Sequence, residues 1–342
     1  MKPIDLRSDT VTLPTLEMRQ AIFEAELGDD VMGEDSTVNR LETMAAERLG
    51  KEAGLLAVSG TMSNLIAVLS HCQRGDEFIV GTEAHILLYE AGGSAGLGGV
   101  HHRAVPNEPD GTMNLLAIEE AIREPNIHFP RTALICLENT HNRCGGDALT
   151  PEYTASVVDL ARRYAIPLHL DGARIFNAAV ALGVDVKELT KGVESVGFCL
   201  SKGLSAPVGS VLCGSEAFIA RARRLRKMLG GGMRQAGIIA AAGIVGLEKM
   251  IDRLAEDHAN ARRLAEGIQG IASIQVDPEQ VSTNIIIAEV VEGSAVDLQT
   301  KLAAAGVKAS IMGKNNLRFV THNGIDRTDI LAAIAIINET LA

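Results

Sequence analysis

From about residue 40 to residue 245, short apolar runs alternate with stretches of helical spacing. The runs predict strands at residues 54–58, 77–80, 133–137, 167–170, 197–200 and 209–213, with helices over 62–71 and 151–164. Apolar strands alternating with helices imply βαβ units and a mainly parallel sheet covered on both faces. The pattern then changes. One long helix over 238–269 leads away from the sheet, followed by a strand (284–290), a helix (295–305), two short strands (307–311 and 317–321) and a last helix (326–341). The predicted fold class is α/β: a large domain of residues 1–245, with an N-terminal arm over 1–14, and a smaller C-terminal α+β domain of residues 246–342. No internal repeat or low-complexity tract interrupts this plan.

Composition narrows the partners. The 342 residues carry a formal net charge of −11 and only 3% aromatics, with no tryptophan. Net negative charge opposes binding to a phosphate backbone, and few aromatics leave few platforms for stacking bases, so no nucleic-acid partner is expected. The five cysteines (72, 136, 144, 199 and 213) are odd in number and have no C-x-x-C spacing, which disfavours disulfide frameworks and zinc ribbons. The N-terminus has charges where a signal peptide needs an apolar core, and no uncharged apolar stretch reaches about 18 residues. A cytoplasmic protein with no membrane span and no metal site is expected.

Candidate chemistry sits at strand ends, where open α/β sheets bind ligands. Ser59-Gly60-Thr61 opens a helix and is either a phosphate cradle or an ordinary cap. Asp171 ends an apolar strand and either pairs with Arg174 or holds a ligand cation. Lys202 ends another strand and is either a Schiff-base lysine or a cation snorkelling at the sheet rim. His85 follows the 77–80 strand and gains meaning only with the others. Together they are a cradle for phosphate, a flat ring to stack, an acid for a ring nitrogen and an amine for an aldehyde. Those are the requirements of pyridoxal phosphate. No G-x-G-x-x-G follows a strand, and neither G-x-x-x-x-G-K-[ST] nor H-E-x-x-H occurs.

Longer motifs then carry a resemblance. Residues 6–12 (LRSDTVT), 29–35 (DDVMGED), 59–64 (SGTMSN), 137–142 (LENTHN), 171–177 (DGARIFN), 201–210 (SKGLSAPVGS) and 226–235 (RKMLGGGMRQ) resemble the threonine aldolases over nearly the whole chain. The resemblance implies a fold-type I pyridoxal-phosphate lyase that splits L-threonine or L-allo-threonine into glycine and acetaldehyde. It also implies a homotetramer, a dimer of dimers with sites shared between subunits. By resemblance, Lys202 forms the Schiff base, Asp171 pairs with the pyridine nitrogen and His85 stacks on the ring. Ser59, Gly60 and Thr61 hold the phosphate. Arg174 and Arg318 fix the substrate carboxylate with Ser8 assisting, and Arg174 also counts among the cofactor's contacts. His128 matches a histidine near the substrate hydroxyl. Lys227 and Arg234 match basic residues that enter a neighbouring subunit's cofactor site. The proton acceptor stays open between His85, His128 and a bound water.

Read without the family, Ser8 is a turn cap and Arg318 a surface cation on a β-hairpin. Two other functions compete: another fold-type I enzyme (serine hydroxymethyltransferase-like, β-eliminating or aminotransferase), and a non-enzymatic binder using the five cations of residues 221–227.

Overall fold

The computed structural model describes residues 3–341. Its central sheet has seven strands in the order Ala53–Ala57, Ser210–Gly214, Ser195–Cys199, Leu168–Asp171, Thr132–Glu138, Glu77–Gly81 and His101–Val105. Ser210–Gly214 runs antiparallel to both neighbours, and the other paired strands are parallel. The exception follows from its connection. Only the short 200–209 segment joins it to Ser195–Cys199, too short for the crossover that parallel strands need. The mainly parallel sheet expected from the sequence is present.

A second sheet is antiparallel, in the order Ser310–Met312, Asn316–Val320, Ile285–Val290 and Ile274–Gln275. Its own core gathers Leu264, Phe319, Ile330 and Ile337, and also Ile4 and Leu6. The N-terminal segment therefore reaches this distant core, and Ile4–Asp5 pairs in parallel with Val307–Lys308. That crossing places residues 8–12 between the two cores.

Three local expectations change. The 238–269 helix is two helices, Gly237–Lys249 and Leu254–Ile268. The turn between them contains neither glycine nor proline, so the apolar period hides it. It is held by Arg253, whose guanidinium pairs with Asp257 at 2.7 Å inside the first turn of the second helix. The 307–311 strand divides because Val307–Lys308 serves the N-terminal strand while Ser310–Met312 serves the second sheet. The edge strand His101–Val105 has no counterpart among the predicted elements, since its outer residues are exposed and polar and it lacks an apolar run.

Two cations of the basic run 221–227 are drawn into the fold, while Arg221, Arg224 and Lys227 are exposed. On the helix Glu216–Met228, Arg226 is 2% exposed, donates to Leu56 O at 2.7 Å and meets Asp30 at 2.6 Å. Arg223 meets Glu42 at 2.6 Å. These pairs fasten the helix to the Ala53–Ala57 edge of the sheet. Removing one partner of a buried pair strands the other charge. Asp30→Ala is therefore expected to lower unfolding free energy by about 3–5 kcal/mol, checked by urea denaturation; a change within about 0.5 kcal/mol contradicts the role given to this pair.

Candidate active site

The carboxyl ends of the parallel strands bring the predicted residues into one region. At the first, Ser59 caps the helix Gly60–His71 by accepting from Met62 N at 3.2 Å. The cap is real, yet the first-turn amides of Gly60 and Thr61 have no intrahelical acceptor and stay open to an anion. A Cβ on Gly60 would lie 3.0 Å from Cys199 Sγ, so glycine lets the helix start sit tightly against the sheet.

Asp171 is buried at the end of its strand. It does not pair with Arg174. Its Oδ1 accepts from Ala173 N at 3.1 Å and its Oδ2 from Asn64 Nδ2 at 2.8 Å. Arg174 instead turns its fork onto Asp9, with Nε–Oδ2 and Nη2–Oδ1 both at 2.7 Å. Asp9 is fully buried, and burial alone would favour its neutral form. The Arg174 guanidinium, with Lys202 and Arg318 beyond it, outweighs that and holds the carboxyl well below the usual range.

Arg318 is not a surface cation. It is 8% exposed, donating from Nη1 to Arg7 O at 3.2 Å and from Nη2 to Asn142 Oδ1 at 2.8 Å. Its Nε has no partner, and it pairs with no carboxylate among the described residues. Burial first, and then the positive charge of Arg174, push it down to about 10. Ser8 caps the short turn Asp9–Val11, accepting from Thr10 N at 3.2 Å, and so lies next to Asp9.

Lys202 is half-buried in the turn after Cys199, with its carbonyl accepting from Thr12 Oγ1 at 3.2 Å. Its charge is felt by both Asp9 and His85. His85 starts a short helix whose place is fixed by Glu138: Oε2 accepts from His85 N at 2.6 Å while Oε1 accepts from Asn142 N at 2.8 Å. One buried carboxylate thus ties the histidine side of the site to the asparagine that serves both arginines. The His85 ring meets Glu90 through Nδ1 at 2.9 Å, and His85, Glu90 and Asp171 converge within 4.8 Å.

Three predicted residues lie elsewhere in this chain. His128 is exposed on a loop, its backbone N bonded to Asn126 Oδ1. Lys227 is exposed near the end of its helix, and Arg234 is exposed and paired with Asp29 at 2.9 Å. Sequence reasoning passed over Asp9, Asn64, Glu90, Glu138 and Asn142. Four of them lie inside the motifs at 6–12, 59–64 and 137–142, so the motifs held the signal without the roles.

The donor set fits pyridoxal phosphate. The open helix amides suit an anion, Lys202 is an amine nearby, and among the described residues Asp171 is a buried acid without a cationic partner and Arg318 a buried cation without an acidic one. The profile described as β-eliminating lyase matches residues 5–291. The chain belongs to that family. It is 49% identical to the low-specificity L-threonine aldolase 1 of Arabidopsis thaliana, covering 96% of this chain and 94% of that one. It is 46% identical to the low specificity L-threonine aldolase of Escherichia coli K12, covering 97% of both. Among solved structures, the Leishmania major threonine aldolase matches with a TM-score of 0.85 over 99% of this chain and all of the other, at 17% identity. The Sphingomonas wittichii serine palmitoyltransferase matches at 0.76 and 16% identity, over 99% of this chain and 87% of that one. At such identity the structural likenesses show a shared fold alone.

The His85–Glu90 contact has a measurable consequence. Burial opposes protonation of His85, but the Glu90 hydrogen bond and the charges of Asp171 and Glu90 outweigh it, so its pKa is raised. A raised histidine pKa keeps the ring charged to higher pH. Glu90→Gln should therefore move the His85 titration midpoint to lower pH, followed by NMR of histidine-labelled protein; an unmoved or rising midpoint contradicts the assigned cause.

Proposed function

We propose that this protein cleaves L-threonine and L-allo-threonine, or related β-hydroxy-α-amino acids, to glycine and an aldehyde with pyridoxal phosphate as cofactor. The observation that carries the reading is Arg318: a buried guanidinium with no acidic partner among the described residues, close enough to Arg174 and Asp9 for their charges to be felt. Nearly full-length identity to low-specificity threonine aldolases supports the substrate class.

When bound, the cofactor supplies an electron sink for the carbanion left by Cα–Cβ cleavage. The chain's own groups supply the rest. Lys202 would hold the cofactor through its amine. The amides of Gly60 and Thr61, with the hydroxyls of Ser59 and Thr61, would take its phosphate. Asp171 would pair with the ring nitrogen and keep it protonated. His85 would hold the ring by stacking. Arg318 binds the substrate carboxylate as a fork, which turns the scissile bond to the right angle for cleavage. Arg174 and Ser8 act beside it: Arg174 already grips Asp9, so its share is to set the position of Asp9 and Asn142 and to offer Nη1. His85 is the titratable ring this chain itself brings beside Lys202 and Asp171, and in its neutral form, with Nδ1–H on Glu90, its Nε2 accepts the proton of the substrate β-hydroxyl.

His128, Lys227 and Arg234 are assigned to a neighbouring subunit's site in a homotetramer. Their exposure away from their own chain's site supports this, as do the exposed Leu16, Phe23 and Met228. The division into residues 1–245 and 246–342 is supported by two separate cores, with the helix Leu254–Ile268 feeding both. The five unpaired thiols favour the cytoplasm.

The test is aldehyde release from the four threonine stereoisomers with cofactor supplied. Acetaldehyde from the L-threonine and L-allo-threonine forms is expected; transamination or β-elimination without acetaldehyde overturns the reading. Lys202→Ala should abolish turnover together with the visible absorbance of the lysine-bound cofactor. Arg318→Ala should raise KM for threonine about 10²-fold, and an unchanged KM contradicts the carboxylate seat.

A further inference from the structure

Asp171 does not stand alone beneath the site. Asn64 and His71 lie seven residues apart on the helix Gly60–His71, hence on one face of it. His169 and Asp171 lie two apart on their strand and point to one face of the sheet. Ser195 is the register partner of His169 on the next strand. These three alignments bring five polar side chains into a line buried between helix and sheet.

The two acids at one end set the direction of the hydrogen bonds in that line. Asn64 Nδ2 lies 2.8 Å from both Asp171 Oδ2 and Glu90 Oε1. Carboxylates accept, so the amide nitrogen spends both hydrogens on the two acids. The Asn64 carbonyl oxygen then faces His169 Nε2 at 3.2 Å, and only a protonated Nε2 can donate to it. His169 Nδ1 then faces both the Ser195 hydroxyl at 2.9 Å and the Ser195 carbonyl oxygen at 3.1 Å, and with the ring's single proton held on Nε2 it accepts from the hydroxyl. Ser195 Oγ in turn accepts from His71 Nε2 at 2.9 Å. Every donor points the same way, from His71 inward to the acids. Burial holds His169 down to about 4 and, with His169 and the Arg221 guanidinium nearby, holds His71 down to about 3. Both rings are thus neutral relays near pH 7, each with one donor and one acceptor, as the line requires.

We propose that Asn64 is a positioning residue for Asp171, polarised toward the aspartate by a one-way relay running His71–Ser195–His169–Asn64, so that cofactor affinity depends on side chains that never touch the cofactor. Aligned hydrogen bonds reinforce one another in a low-dielectric interior. The relay also divides the labour of two neighbouring acids. Glu90 shares its oxygen between Asn64 and His85, while Asp171 receives Asn64 and the Ala173 amide and is left to face the ring nitrogen.

The inference rests on Asp171 facing that nitrogen, and the test separates the two. Pyridoxal phosphate binding to the apo-protein is measured by equilibrium dialysis for Asn64→Ala, Ser195→Ala, the double variant and Asp171→Asn, each with native circular dichroism, and the visible absorbance of the bound cofactor is recorded. Asn64→Ala should weaken binding at least about 10-fold and shift the absorbance band, and Ser195→Ala about 3-fold. In the Asn64→Ala background, Ser195→Ala should add nothing, since its effect travels through Asn64. A wild-type dissociation constant and spectrum in Asn64→Ala, or additive effects in the double variant, overturn the relay. Should Asn64→Ala fail to fold, Ser195→Ala decides alone, and wild-type binding by it sinks the relay. If Asp171→Asn weakens binding and Asn64→Ala does not, the relay alone is wrong. If Asp171→Asn binds like the unaltered protein, the placement of Asp171 is wrong and the inference falls with it.

Discussion

Two guanidinium groups are buried side by side against a single carboxylate. Arg174 takes both oxygens of Asp9, and Arg318, close enough for its charge to be felt, receives none. Burying a cation without an anion is costly, and such groups are held by surrounding structure or by a ligand. Here the surrounding structure is Asn142, whose side-chain oxygen accepts from both arginines, and the Arg7 carbonyl. The remaining positive charge is what a substrate carboxylate would neutralise. Much of the architecture serves this constraint: the N-terminal segment crosses between two cores to deliver Asp9, and the second sheet delivers Arg318 from Asn316–Val320.

The opposite side of the site is acidic and equally arranged. Asp171 and Glu90 share one asparagine amide, and Glu138 ties His85 to Asn142 through its two oxygens. Lys202 lies near enough to both sides to influence Asp9 and His85. A zwitterionic amino acid on a cofactor with an anionic tail and a basic ring nitrogen matches that distribution of charge. This distribution suits an α-amino acid, and the nearly full-length identity to low-specificity threonine aldolases, rather than the fold, supports threonine cleavage, since the same fold also carries a serine palmitoyltransferase.

Six of the seven strands of the central sheet were legible in the sequence because they are continuous apolar runs, and Asp171 and Lys202 were legible because a charge ending such a run is conspicuous. Asp9 was not, because its partner lies 165 residues away and nothing local marks it as buried. Asn64 and Glu90 were hidden for a similar reason: their meaning lies in a helix face meeting a strand, which periodicity does not report. The pairing of Asp171 with Arg174, plausible from three residues of separation, fails because the intervening turn sends the arginine toward the N-terminal segment. His128, Lys227 and Arg234 could be named only from resemblance, and within one chain they stay at the surface.

The most direct test of the central claim, that Arg318 is a cation kept waiting for a carboxylate, compares glycine with glycine amide as ligands of the cofactor-loaded protein. The two share the amine and differ at the carboxylate. The account predicts that glycine binds more tightly by about 10²-fold, and that the advantage collapses in Arg318→Leu. Equal binding of the two ligands, or an advantage that survives in Arg318→Leu, would contradict it.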